Sequence, residues 1–225
     1  MSNLMPLRST PRTAVPPETL AGLLADLGAH EAAPGWRRDA LARAEAMARA
    51  AAATITAQAD RIARLERLAL TDELTGLENR RGIERRLTER LAEARRHGEP
   101  GVLVYLDLNG LKRINDVHGH AAGDEAIRLV AEGLRKCLRA SDAIGRLGGD
   151  EFAVVLPRCT AGAGLSKAAR MAQAIGRLAL NVGGVRVPLS ASVGLAAFTG
   201  EERAETLMAE ADAAMYCEKK VSKRA

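Results

Sequence analysis

Between Asp39 and Ala69 the chain contains neither glycine nor proline, and Leu41, Ala44, Ala48, Ala51, Ile55, Gln58, Ile62, Leu65 and Ala69 recur there at alternating spacings of three and four. That is the a/d pattern of a coiled coil, sustained for about four heptads. Two readings of the stripe stay open. It is a stalk that pairs with a second copy, the favoured reading, or a single amphipathic helix packed on its own domain. Alanine at several seam positions and Gln58 weaken the pairing. The 225 residues therefore divide into one globular domain and an extension too short to be a second large one.

Ahead of the seam, Leu20, Leu23, Leu24 and Leu27 share one face of a short helix closed by Gly28. Pro6, Pro11, Pro16 and Pro17 stand beside Arg8 and Arg12 with no apolar core of signal-peptide length. Residues 1–17 are read as disordered, 18–69 as a helical extension and 70–225 as the domain. No stretch of 18 uncharged apolar residues exists to span a bilayer, and Arg43, Glu45 and Arg49 interrupt the alanine-rich tract. Residues 1–70 carry nine basic and seven acidic side chains, so the net charge of +5 forms no basic tail. Aromatics are only 2%, too few to build stacking platforms for single-stranded nucleic acid. Cys137, Cys159 and Cys217 form no CxxC pair and suit a reduced, cytoplasmic chain. Neither a membrane nor a nucleic acid is an expected partner.

From Leu70 onward helical and strand patterns alternate, predicting an α/β (α+β) fold. A helix with Ile83, Leu87, Leu91 and Ala94 on one face precedes a strand over Val102 to Leu106, with Asp107 just past its end. A short helix follows, then a longer one from about Gly123 to Arg139. "SDAIGRLGGDEFAVVLP" reads as strand, tight turn, strand, because paired glycines permit the positive φ of a tight hairpin. A helix over Ala161 to Leu180, a strand region over Val185 to Phe198 and a last helix over Ala204 to Val221 complete the domain. Asp107 and Asp150 converge if their strands are neighbours. Paired carboxylates beside backbone carbonyls suit Mg²⁺, which keeps waters and binds substrate phosphates. An exposed acidic turn is the alternative.

"RLGGDEF" at Arg146 to Phe152 resembles the signature of the diguanylate cyclase, or GGDEF, family. Four more segments match in order: "TDELTGLENRR" from Thr71, "LDLNGLKRINDVHGHAAGDEAI" from Leu106, "LSASVGLA" from Leu189 and "ADAAMYCEKK" from Ala211. The resemblance covers roughly 70–223. It implies a palm-like domain with a central, mostly antiparallel sheet flanked by helices, joining two GTP molecules into cyclic di-GMP with release of pyrophosphate. The implied enzyme works as an antiparallel homodimer with Mg²⁺, Mn²⁺ being the alternative ion. A catalytically silent module serving as a GTP or cyclic di-GMP receptor is the rival reading.

By the same resemblance Asp107, Asp150 and the Leu108 carbonyl hold the metals, and Glu151 shapes the hairpin and assists deprotonation of the attacking hydroxyl. Asn115 and Asp124 bind guanine, although both residue types also cap helices routinely. Gly148 and Gly149 let the nucleotide approach the backbone, while Lys112, Lys219 and Lys223 neutralise phosphates. Arg139 and Asp142, an RxxD six residues ahead of Gly148, mark a product-inhibition site with Arg170 as a partner. Asn109 departs from the family's second aspartate, and Ser222-Lys223-Arg224 from its usual Gly-Arg-Asn. The input signal is not legible. The N-terminal helices are the expected place for a protein partner.

Overall fold

The computed structural model describes residues 35–222. The disorder expected for 1–17, the short helix over 18–30 and Lys223 lie outside the described residues. Two compact units form, Met1–Ala63 and Arg64–Ala225. The first is represented by most of α1 (Trp36–Leu70), which starts three residues ahead of the expected boundary. Leu41, Ile55 and Ile62 on its seam are 61%, 65% and 57% exposed. The hydroxyls of Thr54 and Thr56 donate to the Ala50 and Ala52 carbonyls, so these polar residues are satisfied along the helix itself.

In the second unit the elements run α2 (Arg80–His97), β1 (Gly101–Leu108), α3 (Leu111–His118), α4 (His120–Lys136), β2 (Ala143–Gly148), β3 (Glu151–Leu156), α5 (Ala161–Gly176), β4 (Ala179–Val182), β5 (Val185–Pro188), β6 (Ala191–Phe198) and α6 (Ala204–Ser222). The main sheet has the order β2-β3-β1-β6 with every pairing antiparallel. Strand β1 is central and every one of its residues is buried. Its near-continuous apolar run reflects cover on both faces.

The period-two alternation of β1 sorts its side chains into two cores. Val102, Val104, Leu106 and Leu108 join Phe152, Val154 and Leu156 beneath α4 and α5, where Ile127, Val130, Leu134, Met171 and Ile175 close the layer. Leu103 and Tyr105 face the other way, onto Ile83, Leu87 and Leu91 of α2 and Leu207, Ala211 and Met215 of α6. Parity puts Asp107 on this second face. Burial raises the Tyr105 hydroxyl to a pKa of about 12.

Several expected boundaries are corrected. Asp107 lies inside β1 rather than past its end. The long helix starts at His120 and ends at Lys136. The α5 helix stops at Gly176, and Leu178 to Leu180 lead into a strand that periodicity had placed in the helix. The expected strand region over Val185 to Phe198 resolves into two strands: Pro188 closes β5, and the chain crosses to the main sheet before β6 begins. Proline cannot donate to a ladder, so it ends the strand it sits in.

Candidate functional site

The β2-β3 hairpin turns on Gly149 and Asp150, between Gly148 and Glu151, which pair. Both glycines have positive φ, 149° and 53°, which a side chain would oppose. Arg146 holds this turn from below. Its Nε and Nη2 donate to the Gly149 carbonyl at 2.9 and 2.7 Å, and its Nη1 donates to Asp72 Oδ2 at 3.2 Å. Burial alone would raise the Asp72 carboxyl, but hydrogen bonds from Thr75 and the Arg146 charge outweigh it and hold the group below its ordinary value. Asn79 pins the other end of this segment. Its amide donates to the Ala69 carbonyl at 2.9 Å, and its Oδ1 accepts from the Gly82 N–H that opens α2.

Register brings the two acidic elements together. Asp107 stands directly opposite Glu151, and the Leu108 N–H donates to the Asp150 carbonyl at 3.0 Å. Asp107 is 5% exposed and its Oδ1 accepts from Lys219 Nζ at 2.6 Å, a contact between positions 112 apart in sequence. Glu151 shares the Asp107 face and lies 3.7 Å from Arg80. Burial raises its carboxyl; Arg80 opposes this, while Asp212, Asp107 and Asp150 add to it.

Asp150, Lys112, Lys219, Asn109 and Ser190 line a cleft of about 640 Å³. Arg113, Asp116 and Ser190 were not anticipated there; the first two follow Lys112 on α3, which is the signal that could have found them. Asn109, the departure from the family pattern, donates to Ser190 at 3.5 Å and accepts from the buried Ser192 hydroxyl at 3.2 Å. Asn115 and Asp124 lie within α3 and α4, whose N-caps are Gly110 and Gly119, so neither is a capping residue. Asn115 Oδ1 is buried with no hydrogen-bond partner among the described residues.

Among the described residues no group of three or more His, Cys, Asp or Glu side chains could hold a metal by itself. Asp150 on the cleft and Asp107 beside it nonetheless fit Mg²⁺, which commonly takes one or two protein carboxylates and completes its shell from water and substrate phosphates. Asp107 is a buried anion already balanced by a cation. A hard dication meets the same need.

A second cavity, about 220 Å³, is lined by Arg139, Lys167, Arg170 and Cys137. The RxxD segment is a turn in which the Arg139 N–H donates to Asp142 Oδ2 at 3.1 Å. The ion pair of Asp142 is made with Lys167, also at 3.1 Å. Lys167 was missed, although it precedes Arg170 by three on one helix face.

Residues 69–225 match the family model described as "Diguanylate cyclase, GGDEF domain". The chain belongs to that family. Its GGDEF domain is 40% identical over 141 residues to diguanylate cyclase DgcP of Pseudomonas aeruginosa, covering 61% of this chain and 21% of that protein. Against diguanylate cyclase DosC of Escherichia coli the identity is 36% over 131 residues, covering 58% and 28%. The chain thus spans about a fifth to a third of the length of these relatives. Among solved structures, the coiled coil and GGDEF domain of DgcB from Caulobacter crescentus, in complex with cyclic di-GMP, matches with a TM-score of 0.71 and 28% identity, covering 78% of this chain and 94% of that one. SiaD of Pseudomonas aeruginosa, in complex with its activator SiaC, matches with a TM-score of 0.68 and 30% identity, covering 91% and 76%. No helix among the described residues is long and apolar enough to cross a membrane.

Proposed function

We propose that this protein is an active, cytoplasmic diguanylate cyclase that condenses two GTP molecules into cyclic di-GMP. The observation that carries the reading is the meeting of Asp107 and Asp150 at one end of the β1-β3 pair, beside a cleft that also presents Lys112 and Lys219. Each domain holds one GTP, and two domains face each other antiparallel. The 3′-oxygen of one nucleotide bonds to the α-phosphorus of the other, pyrophosphate leaves, and the hydroxyl proton passes to a base. Repeating the step in the opposite sense closes the ring, so two pyrophosphates leave per product.

In-line phosphoryl transfer asks mainly for positioning and charge neutralisation. Asp107, Asp150 and the Leu108 carbonyl would hold Mg²⁺, whose charge would neutralise the phosphates. Lys112, Lys219 and Lys223 bind the triphosphate, Gly148 and Gly149 let it lie against the hairpin, and Asn115 and Asp124 take the guanine edge. Glu151, held by Arg80, receives the proton of the attacking hydroxyl. The exposed seam of α1 is the pairing surface between copies. The likeness to SiaD, solved with an activator, supports regulation by a protein partner, for which the N-terminal helical extension is the proposed place.

The test is incubation with GTP and Mg²⁺ followed by chromatography for cyclic di-GMP and pyrophosphate, beside Asp150→Ala. Product from the wild type alone is expected. Tight binding of cyclic di-GMP by a wild type that stays silent even as an enforced dimer would replace the enzyme by a receptor.

The cavity lined by Arg139, Arg170 and Lys167, the last paired with Asp142, is the proposed product-inhibition site; that DgcB was solved with cyclic di-GMP supports product binding by this fold. A guanidinium fork matches guanine edges and phosphate. Arg139→Ala is therefore expected to weaken inhibition about tenfold or more, the worth of one charge-assisted contact. Progress curves should show more product per GTP at late times; an unchanged plateau would remove the assignment.

A further inference from the structure

Helix α4 turns the small residues Ala122, Gly123 and Ala126 inward, and Gly123 has a specific neighbour on α3. Gly123 is buried on α4, and a Cβ built there would overlap Asn115 Oδ1 of α3 and come within 2.9 Å of its Cγ. The next nearest atom, Leu111 Cδ1, is at 3.3 Å, a separation that a small shift relieves. The same Oδ1 is a buried acceptor without a hydrogen-bond partner among the described residues. Buried polar atoms are rarely left unsatisfied unless a ligand or function uses them. Gly123 is not here for its backbone: it lies inside a helix, where glycine is a poorer choice than alanine.

We propose that Gly123 is a positioning residue for base recognition, its bare Cα being the space that holds the Asn115 amide in the pose that meets guanine. This rests on the assignment of Asn115 to the guanine edge. Because the obstructing atom is the tip of a side chain, a methyl group at 123 is accommodated by turning Asn115 away, not by unfolding the helix pair. The loss then falls on nucleotide affinity and base choice.

The experiment is calorimetric binding to the full chain of 3′-deoxy-GTP and 3′-deoxy-ATP with Mg²⁺; both lack the attacking hydroxyl, so binding is read without turnover. Gly123→Ala is expected to bind 3′-deoxy-GTP about tenfold more weakly, the worth of a hydrogen bond to the base, with its preference over 3′-deoxy-ATP reduced by the same factor. Its thermal midpoint should be equal to or above that of the wild type, since alanine favours the helix. Asn115→Ala should show the same loss, and Gly123→Ala combined with Asn115→Ala should be no weaker than Asn115→Ala alone. Wild-type affinity and selectivity in Gly123→Ala, or losses that multiply in the double variant, would overturn the proposal. If Asn115→Ala itself kept wild-type selectivity, the guanine assignment would fall and take the proposal with it.

Discussion

Asp107→Asn is expected to lower cyclic di-GMP formation about a thousandfold or more, because it removes the buried carboxylate proposed to hold the catalytic cation at the phosphates. It should also weaken the fold. Asp107 and Lys219 form a 2.6 Å ion pair with side chains 7% and 24% exposed, and the substitution leaves an ammonium facing a neutral amide. Removing one partner of a buried pair costs roughly 3–5 kcal/mol; the lower end applies here, because Lys219 keeps part of its side chain in water. Adding Lys219→Met removes the stranded charge. The double variant should therefore recover most of the thermal stability and none of the activity. Denaturation curves and product chromatography on the wild type and the two variants separate the two effects, and activity within tenfold of wild type in Asp107→Asn would contradict the metal assignment.

Placing aspartate at both Ile55 and Ile62 is expected to give a monomer whose specific activity at dilute concentration falls about a hundredfold or more, through loss of pairing energy. These two side chains are exposed on α1, on the same stripe as Leu41 and Leu65. Burying each against a second copy is worth about 1.5–3 kcal/mol, and both copies contribute. Aspartate at a seam position instead buries a charge against its own kind. Light scattering should report the halved mass, and raising the protein concentration should restore part of the rate, since each domain keeps its own half of the site. A wild type that is already monomeric and active would end the stalk reading.

The sequence carried most of the elements because helix faces and hairpins are local. Ile83, Leu87, Leu91 and Ala94 reveal α2 by spacing alone, and Gly148-Gly149 announces a turn between two apolar runs. Where local signals conflicted, boundaries slipped. Apolar residues from Leu178 to Leu180 extended the α5 pattern past its end, hiding β4. Gly183-Gly184 between apolar residues was the missed sign that β4 and β5 form a hairpin of their own.

The candidate site was legible as a set of residue types and not as an arrangement. Strand-end and hairpin positions pointed to Asp107 and Asp150, and the family resemblance supplied Asn115, Asp124 and Lys219, but neither says that Lys219 reaches Asp107, that Arg146 bridges Asp72 to the Gly149 carbonyl, or that Asp142 pairs with Lys167 instead of Arg139. The chain by itself determined helix faces, the tight turn and the family, since these follow from local periodicity, backbone freedom and motif order. Only the tertiary structure decided which charge balances which. Those pairings join segments far apart in sequence, and they follow from sheet register and helix packing, which the whole chain settles at once.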